Sequence, residues 1–243
     1  MNLQPLNQKN LYELDHYLIE FINLYKNNRL PNKILLSGDK GIGKNTLAYH
    51  LVNFILSQDE KFPYDDKKFE INENNKSFKL TINGSNPNLT LIDASSEKES
   101  INIDQIRDLI SNLNKTSFNN KERFVIIDNI ETLSVNSVNA LLKILEEPPS
   151  NIFFILINNY KFILPTLKSR CINFKIFLNH EKTLSITRKL LNGDVYKHIN
   201  SDLFNYYTTP GYIYKFVSIF VSNNYNLLDY DIKKLLKLII KDN

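Results

Sequence analysis

Residues 123–171 read RFVIIDNIETLSVNSVNALLKILEEPPSNIFFILINNYKFILPTLKSRC and decide the fold of this chain. Two short apolar runs, Phe124–Ile127 and Ile152–Ile157, have the β-branched and aromatic composition of buried strands in a parallel sheet. Between them, apolar residues at helical spacing follow Ser134, a good capping residue, and end before Pro148. The stretch predicts a strand–helix–strand crossover with polar residues at its edges, where α/β sheets usually carry their chemistry.

The overall composition is ordinary for a globular protein. The 243 residues are 42% hydrophobic and 23% charged, and the formal net charge of +4 permits contact with nucleic acid without demanding it. The single cysteine, Cys171, excludes an internal disulfide framework and a multi-cysteine zinc site. Without an apolar run of membrane-spanning length or a signal-peptide pattern, we expect a cytoplasmic protein with no membrane partner.

A second strand–turn–helix pattern begins at Ile34–Leu36 and continues into a predicted helix over Leu47–Leu56. The turn between them nearly fulfils the phosphate-loop pattern G-x-x-x-x-G-K-[ST]. Glycines let the backbone wrap a phosphate, the helix offers its positive N-terminus, and the lysine adds a charge. We therefore predict weak or vestigial binding of ATP or ADP, rather than a plain glycine-rich turn, by Gly38, Gly41, Gly43, Lys44, Asn45 and Thr46.

Asn45 departs from that pattern, because its position should carry a hydroxyl that helps to hold Mg²⁺. An amide oxygen can ligate Mg²⁺, but less well than the usual arrangement. Thr46 is about 100° further around the helix and cannot simply substitute. Nucleotide binding is therefore expected, whereas productive hydrolysis is not.

Asp128 ends the strand that supplies a Mg²⁺-holding aspartate in phosphate-loop hydrolases. The alternative is an ordinary turn residue at a strand end. Asn129 cannot accept a proton at neutral pH, so a general base is missing there, and Glu131 is expected to point elsewhere. The sequence therefore again indicates that this chain does not hydrolyse ATP, and we predict no metal site.

The remaining patterns predict further helices and two strands. Helices are indicated over residues 10–28, 102–118 with Asn102 as its cap, 183–191, 201–207, 212–221 and 227–240, and strands over 77–82 and 89–92.

The segments NALLKILEEPPSNIFFILI and LPTLKSRC, together with the phosphate loop, resemble the bacterial clamp-loader subunits of DNA polymerase III, which belong to the AAA+ superfamily. The resemblance implies an α/β fold: an AAA+ P-loop core over 1–175, in which helices flank a parallel sheet, followed by a small helical lid. The lid would have three helices over 176–222, and the start of a truncated helical collar would follow over 223–243. Members commonly carry a four-cysteine zinc module after the phosphate-loop helix. The corresponding residues 57–94 have no cysteine, so we predict no zinc.

Three positions indicate which type of clamp-loader subunit this chain resembles. Besides Asn45 and Asn129, Gly211 stands in the lid segment where hydrolysing members carry an arginine that senses the γ-phosphate. Arg170 of the SRC triplet remains, and in the family this arginine is a finger that completes the ATP site of a neighbouring subunit. The pattern is similar to the non-hydrolysing delta-prime type, although Arg170 could instead be a salt-bridged structural residue.

The resemblance implies a hetero-oligomer that loads the sliding clamp on primed DNA during replication. Its expected partners are gamma/tau-type clamp-loader subunits, the delta subunit, the clamp and primed DNA. Two alternatives stay open: an ATP-hydrolysing gamma/tau-type subunit, and a stand-alone P-loop nucleotide-binding switch or kinase-like enzyme. The second would need an acid/base set in a substrate pocket, which the sequence does not display.

Overall fold

The computed structural model describes residues 4–94, 100–113, 119, 121–200, 203, 208–223, 225–231, 233–234 and 237. The chain divides into two compact units. The sheet unit comprises 2–38 and 43–176, and the helical unit comprises 39–42 with the residues from Phe177 onward.

A parallel sheet of five strands forms the centre of the sheet unit, in the order β2-β3-β4-β1-β5. The strands are β1 Lys33–Ser37, β2 Leu89–Ile92, β3 Arg123–Ile127, β4 Ile152–Asn158 and β5 Ile172–Lys175. The register pairs Leu35 of β1 with Leu156 of β4, and Val125 of β3 with Phe154 of β4. Because all strands are parallel, the turns that follow β1, β3 and β4 meet at one edge of the sheet, its carboxyl edge.

Helices cover this sheet. Their bounds are α1 Asp15–Lys26, α2 Lys44–Leu56, α3 Lys76–Ile82, α4 Ile103–Leu113, α5 Val135–Glu146 and α6 Pro165–Lys168. The crossover predicted from residues 123–171 is confirmed: Ser134 accepts a hydrogen bond from the N–H of Ser137, 3.1 Å away, at the start of α5. Of the helix predicted over 102–118, the part at 114–118 lies outside the described residues.

The main apolar core lies between the sheet and helices α4 and α5. Burial of each large apolar side chain stabilises the fold by about 1.5–3 kcal/mol. Central members of this core are Leu35, Val125, Phe154, Ile106, Leu109, Leu141 and Leu145. Strands β3 and β4 are therefore held from their apolar faces, which fixes the positions of the polar residues at their ends.

The strand predicted over Ser77–Ile82 is wrong, because this segment is helix α3. Its alternating pattern is overridden by caps at the helix start. The buried Asn75 accepts from the N–H of Phe78 at 2.7 Å, and Glu60 accepts from the N–H groups of Lys76 and Ser77 at 2.8 and 3.0 Å. These acceptors satisfy N–H groups that a helix leaves unpaired at its start. The strand predicted at Leu89–Ile92 is confirmed, whereas β5 was not predicted.

The helical unit contains α7 His180–Leu191 and α8 Pro210–Ser222, which agree with two of the predicted helices. A separate apolar cluster holds it together, formed by Val195, Ile199, Ile213, Val217 and Leu227. The helix predicted over 201–207 lies outside the described residues except for Leu203. The same holds for Ile232, Leu235, Leu236 and Ile239 of the helix predicted over 227–240. Among the helices of the described residues, none has the length and apolar character needed to cross a bilayer.

Candidate functional site

The predicted phosphate loop connects β1 to α2. Gly41 and Gly43 have φ angles of +87° and +96°, which only glycine adopts without strain. Lys44 is the first residue of α2 and is only 3% exposed, and Thr46 lies on the same first turn. The loop therefore has the backbone freedom and the helix N-terminus that phosphate binding requires.

The Lys44 ammonium lies at the carboxyl edge of the sheet. Its Nζ donates to the carbonyl oxygen of Gly38 and to Oδ1 of Asn159, each at 2.9 Å. Asn159 directly follows β4, the neighbour of β1 in the sheet. The lysine is thus fixed between its own loop and the adjacent strand end.

Asn45 and Asp128, both predicted site residues, are in direct contact. Asn45 Nδ2 donates to Asp128 Oδ2 at 2.7 Å, while Asp128 Oδ1 accepts from the backbone N–H of Asn129 at 2.8 Å. Burial, and then the nearby Asp93 carboxylate, raise the pKa of Asp128. Asn45 Oδ1 is buried and has no hydrogen-bond partner among the described residues.

Glu131 also belongs to this edge, contrary to the expectation that it points elsewhere. Asn159 donates to Glu131 through Nδ2 and Oε1 at 2.9 Å and through its backbone N–H and Oε2 at 3.3 Å. The same Nδ2 lies 2.8 Å from Asn129 Oδ1. The cause is local: Asn129 has a left-handed φ of 54°, and a short 3₁₀ turn over Ile130–Thr132 turns the chain back.

Asn159 was not singled out in the sequence, although it links Lys44, Asn129 and Glu131. A signal was available, since a buried strand ends in a polar residue, Asn158, and is directly followed by another, Asn159. In a parallel sheet such residues lie beside the ends of the neighbouring strands. That β4 is next to both β1 and β3, however, is a property of the strand order.

Arg170 lies at the opposite, amino edge of the sheet, between α6 and the start of β5. Its Nη1 donates to the carbonyl oxygen of Thr166 at 2.8 Å, and its Nη2 forms an ion pair with Glu146. The Arg170 side chain is 31% exposed and that of Glu146 is 53% exposed. The guanidinium is therefore held at the surface and is not buried in its own fold.

Cys171 follows Arg170 and is partly buried. Burial raises the pKa of its thiol to about 11. A protonated thiol is a poor nucleophile, so burial disfavours a reactive role for this cysteine.

Gly211 packs closely against residues 39–42 within the helical unit. Its N–H donates to the carbonyl oxygen of Gly41 at 3.0 Å, and Thr209 Oγ1 donates to the carbonyl oxygen of Lys40 at 2.7 Å. A Cβ added to Gly211 would meet both Cα and O of Gly41 at 2.9 Å. Any side chain at this position, including an arginine, would require the two segments to separate.

The described residues contain no group of three or more His, Cys, Asp or Glu side chains that could hold a metal ion. In the phosphate-loop pattern the two positions that would help to hold Mg²⁺ beside a phosphate are Asn45 and Asp128. Their mutual hydrogen bond points an N–H, not a second oxygen, at the carboxylate. This donor set does not fit the usual magnesium site of a phosphate loop.

The five-stranded parallel sheet, its strand order and the phosphate loop define an α/β protein with a P-loop core. The family described as DNA polymerase III, delta subunit, matches residues 14–179. The match covers more than half of the chain, so the chain belongs to this family.

Relatives of known identity include subunits of two kinds. The chain is 32% identical over 139 residues to DNA polymerase III subunit delta' of Pseudomonas aeruginosa, covering 57% of this chain and 40% of that protein. It is 31% identical over 174 residues to subunit delta' of Buchnera aphidicola subsp. Baizongia pistaciae, covering 69% and 51%. It is 30% identical over 179 residues to subunit gamma of Buchnera aphidicola subsp. Schizaphis graminum, and the match covers 72% of this chain and 47% of that protein. The chain thus spans about half the length of these relatives.

Among solved structures, the RuvB Holliday junction branch migration motor of Thermotoga maritima matches with a TM-score of 0.51 at 14% identity. The match covers 96% of this chain and 72% of that one. At this level of identity the likeness concerns the fold alone.

Proposed function

We propose that this chain is a delta-prime-type clamp-loader subunit that hydrolyses no ATP itself and donates Arg170 to the ATP site of a neighbouring subunit. The observation that carries the proposal is the position of this arginine. Its guanidinium is bonded to Glu146 and Thr166 at the amino edge of the sheet, while Lys44 lies at the carboxyl edge. The strands between the two edges have four to seven residues and are roughly 10–20 Å long. An arginine so placed is directed toward another molecule rather than toward its own phosphate loop.

The chain's own loop lacks the parts for hydrolysis. Asn45 takes the position of the hydroxyl that helps to hold Mg²⁺ and instead binds Asp128. Asn129, where a general base would be expected, donates its amide to Asp93 at 2.6 Å and accepts from Asn159. An amide cannot take a proton from an attacking water at neutral pH. The chain thus keeps Arg170 but lacks the groups for hydrolysis. This pattern fits a subunit that supports the reaction of a neighbour.

The assembly we infer is hetero-oligomeric and cytoplasmic. Its other members would be gamma/tau-type subunits, which hydrolyse the ATP, and the delta subunit, and it would place the sliding clamp on primed DNA. In this assignment residues 1–175 are the AAA+ core, 176–222 the lid and 223–243 the start of the collar. Relatives named delta' and gamma support membership in such a complex.

An ATP-hydrolysing subunit of the gamma type is the second candidate, and Glu131 favours it. Its carboxylate is linked to Lys44 through Asn159, so it is close enough to the loop to be considered as a base. A direct test is the ATPase activity of the purified chain with DNA and clamp present. Turnover that is lost in Glu131→Gln would favour the gamma type, whereas absence of turnover agrees with delta-prime.

The finger role is tested by reconstituting the chain with a gamma-type partner and measuring ATP hydrolysis by the complex. Arg170→Ala should slow hydrolysis at the one site that faces this chain by on the order of 10³-fold, as for other arginine fingers. Lys168→Ala removes a neighbouring exposed cation and is the matched control. Complex formation by both variants should be checked by co-purification.

Two results would contradict the proposal. One is undiminished hydrolysis at the facing site in an intact Arg170→Ala complex. The other is an equal loss in Lys168→Ala, which would indicate a general charge effect.

A further inference from the structure

We propose that the phosphate loop of this chain binds a nucleotide without a divalent cation. The inference rests on the proposed function only in placing a nucleotide at the loop. It goes further by specifying the chemical form of the ligand, a free nucleoside di- or triphosphate and not its Mg²⁺ complex.

Asp128 fixes the orientation of the Asn45 amide. Nδ2 lies 2.7 Å from Asp128 Oδ2. Rotating the amide by 180° would bring two oxygens to that distance, and an oxygen cannot hydrogen-bond to a carboxylate oxygen. The N–H therefore faces Asp128, and Oδ1 points away from it without a partner among the described residues.

Mg²⁺ demands a ligand geometry that Asn45 and Asp128 do not offer. The ion takes oxygen ligands at about 2.0–2.1 Å in near-octahedral arrangement, which puts adjacent ligand oxygens about 3 Å apart around one point. Here the N–H of Asn45 occupies the approach to Asp128 Oδ2, and the other carboxylate oxygen accepts from the Asn129 N–H. Each carboxylate oxygen already accepts one hydrogen bond, and a magnesium ion on Oδ2 would lie beside the Asn45 N–H, which offers it no ligand oxygen.

The lysine and the glycine turn of the phosphate loop are intact. Lys44 is 3% exposed, and its ammonium is fixed by Gly38 and Asn159. Gly43, directly before Lys44, has a φ angle of +96°, which is the backbone freedom that a phosphate-binding turn needs. The chain has thus kept the groups that attract a phosphate and changed the group that positions its metal.

The test measures binding of ADP to the full chain by titration calorimetry, once with Mg²⁺ and once with EDTA. For the native chain we expect the two dissociation constants to agree within about twofold. Asn45→Thr restores the hydroxyl and frees Asp128, so its affinity should be at least about tenfold higher with Mg²⁺ than with EDTA. Lys44→Ala should abolish binding in both solutions, which identifies the loop as the site.

Native binding that tightens tenfold with Mg²⁺ would overturn the inference, as would a lack of Lys44-dependent binding under either condition. An Asn45→Thr variant that stays insensitive to Mg²⁺ would also overturn it, provided that its thermal unfolding shows a folded chain. The finger role of Arg170 is read from hydrolysis by a partner, so either proposal can fail while the other stands.

Discussion

Arg170 and Glu146 form an ion pair across the amino edge of the sheet, joining the segment before β5 to the last residue of α5. Both side chains are partly exposed, and the guanidinium also donates to the Thr166 carbonyl. An arginine that acts on another subunit's triphosphate must give up at least part of this arrangement. The ion pair therefore competes with the role that we propose for Arg170.

Glu146→Gln should consequently increase hydrolysis at the facing site of a gamma-type partner. Because exposed ion pairs contribute about 0–1 kcal/mol, the gain should be no more than about fivefold. Glu147→Gln, at the exposed neighbouring position, is the control and should leave the rate unchanged. In the double variant Glu146→Gln/Arg170→Ala the gain should disappear. A gain that persists without Arg170 would contradict the competition.

Gly211→Ala should destabilise the protein, although replacing glycine by alanine in a helix usually stabilises it. Alanine in a helix interior is normally more stable than glycine by roughly 0.5–1 kcal/mol. Here the added Cβ would lie 2.9 Å from Gly41, so we expect a loss of about 1–3 kcal/mol in the free energy of unfolding. The measurement is denaturant unfolding.

Gly193→Ala is the matched control, because its Cβ would meet only His198 Nε2 at 3.9 Å. If both variants are equally stable, the close approach of Gly211 to Gly41 is not a constraint.

His50 should make stability fall as the pH is lowered. Its ring is fully buried between Tyr64 Oη at 2.8 Å and the Gln8 carbonyl at 3.1 Å, and burial lowers its pKa from 6.5 to about 4. Between these two pH values the unfolded chain binds the proton and the folded chain does not. The free energy of unfolding therefore contains the full His50 contribution above about pH 6.5. It loses this contribution, roughly 3 kcal/mol in total, as the pH falls toward 4.

Urea unfolding measured across that pH range checks this contribution. His50→Gln carries no titrating ring, so its stability should depend less steeply on pH between 4 and 6.5. His180→Gln changes an exposed histidine and should parallel the native curve. Parallel curves for native and His50→Gln would exclude His50 as the source.

Asn75→Ala should destabilise the segment that contains α3. The Asn75 side chain is fully buried, caps α3 through the Phe78 N–H and donates to the Phe62 carbonyl at 2.9 Å. Losing both the cap and the hydrogen bond to the Phe62 carbonyl should lower the free energy of unfolding by about 2–3 kcal/mol. Asn74 is exposed, so Asn74→Ala is the control, and its free energy of unfolding should change by no more than about 0.5 kcal/mol. Equal effects in thermal or urea unfolding would contradict a specific role of the cap.

The sequence by itself determined the features that depend on neighbouring residues. Strand-forming runs, the capped helix at Ser134 and the phosphate-loop glycines are local patterns, and the structure forms them where they were predicted. The replacements Asn45, Asn129 and Gly211 could also be read directly. Local propensity failed at 76–82, because Glu60, outside the segment, and Asn75, just before it, supply the acceptors for the first N–H groups of α3.

Only the tertiary structure decided which residues of the site are hydrogen-bonded to each other. Asn45 and Asp128 are 83 residues apart in the chain, and Lys44 and Asn159 are 115 apart, yet each pair is hydrogen-bonded. These contacts depend on the order of the strands, which places β4 between β1 and β3. The same order assigns Lys44 and Arg170 to opposite edges. No local pattern encodes this, because strand order is set by packing a shared core.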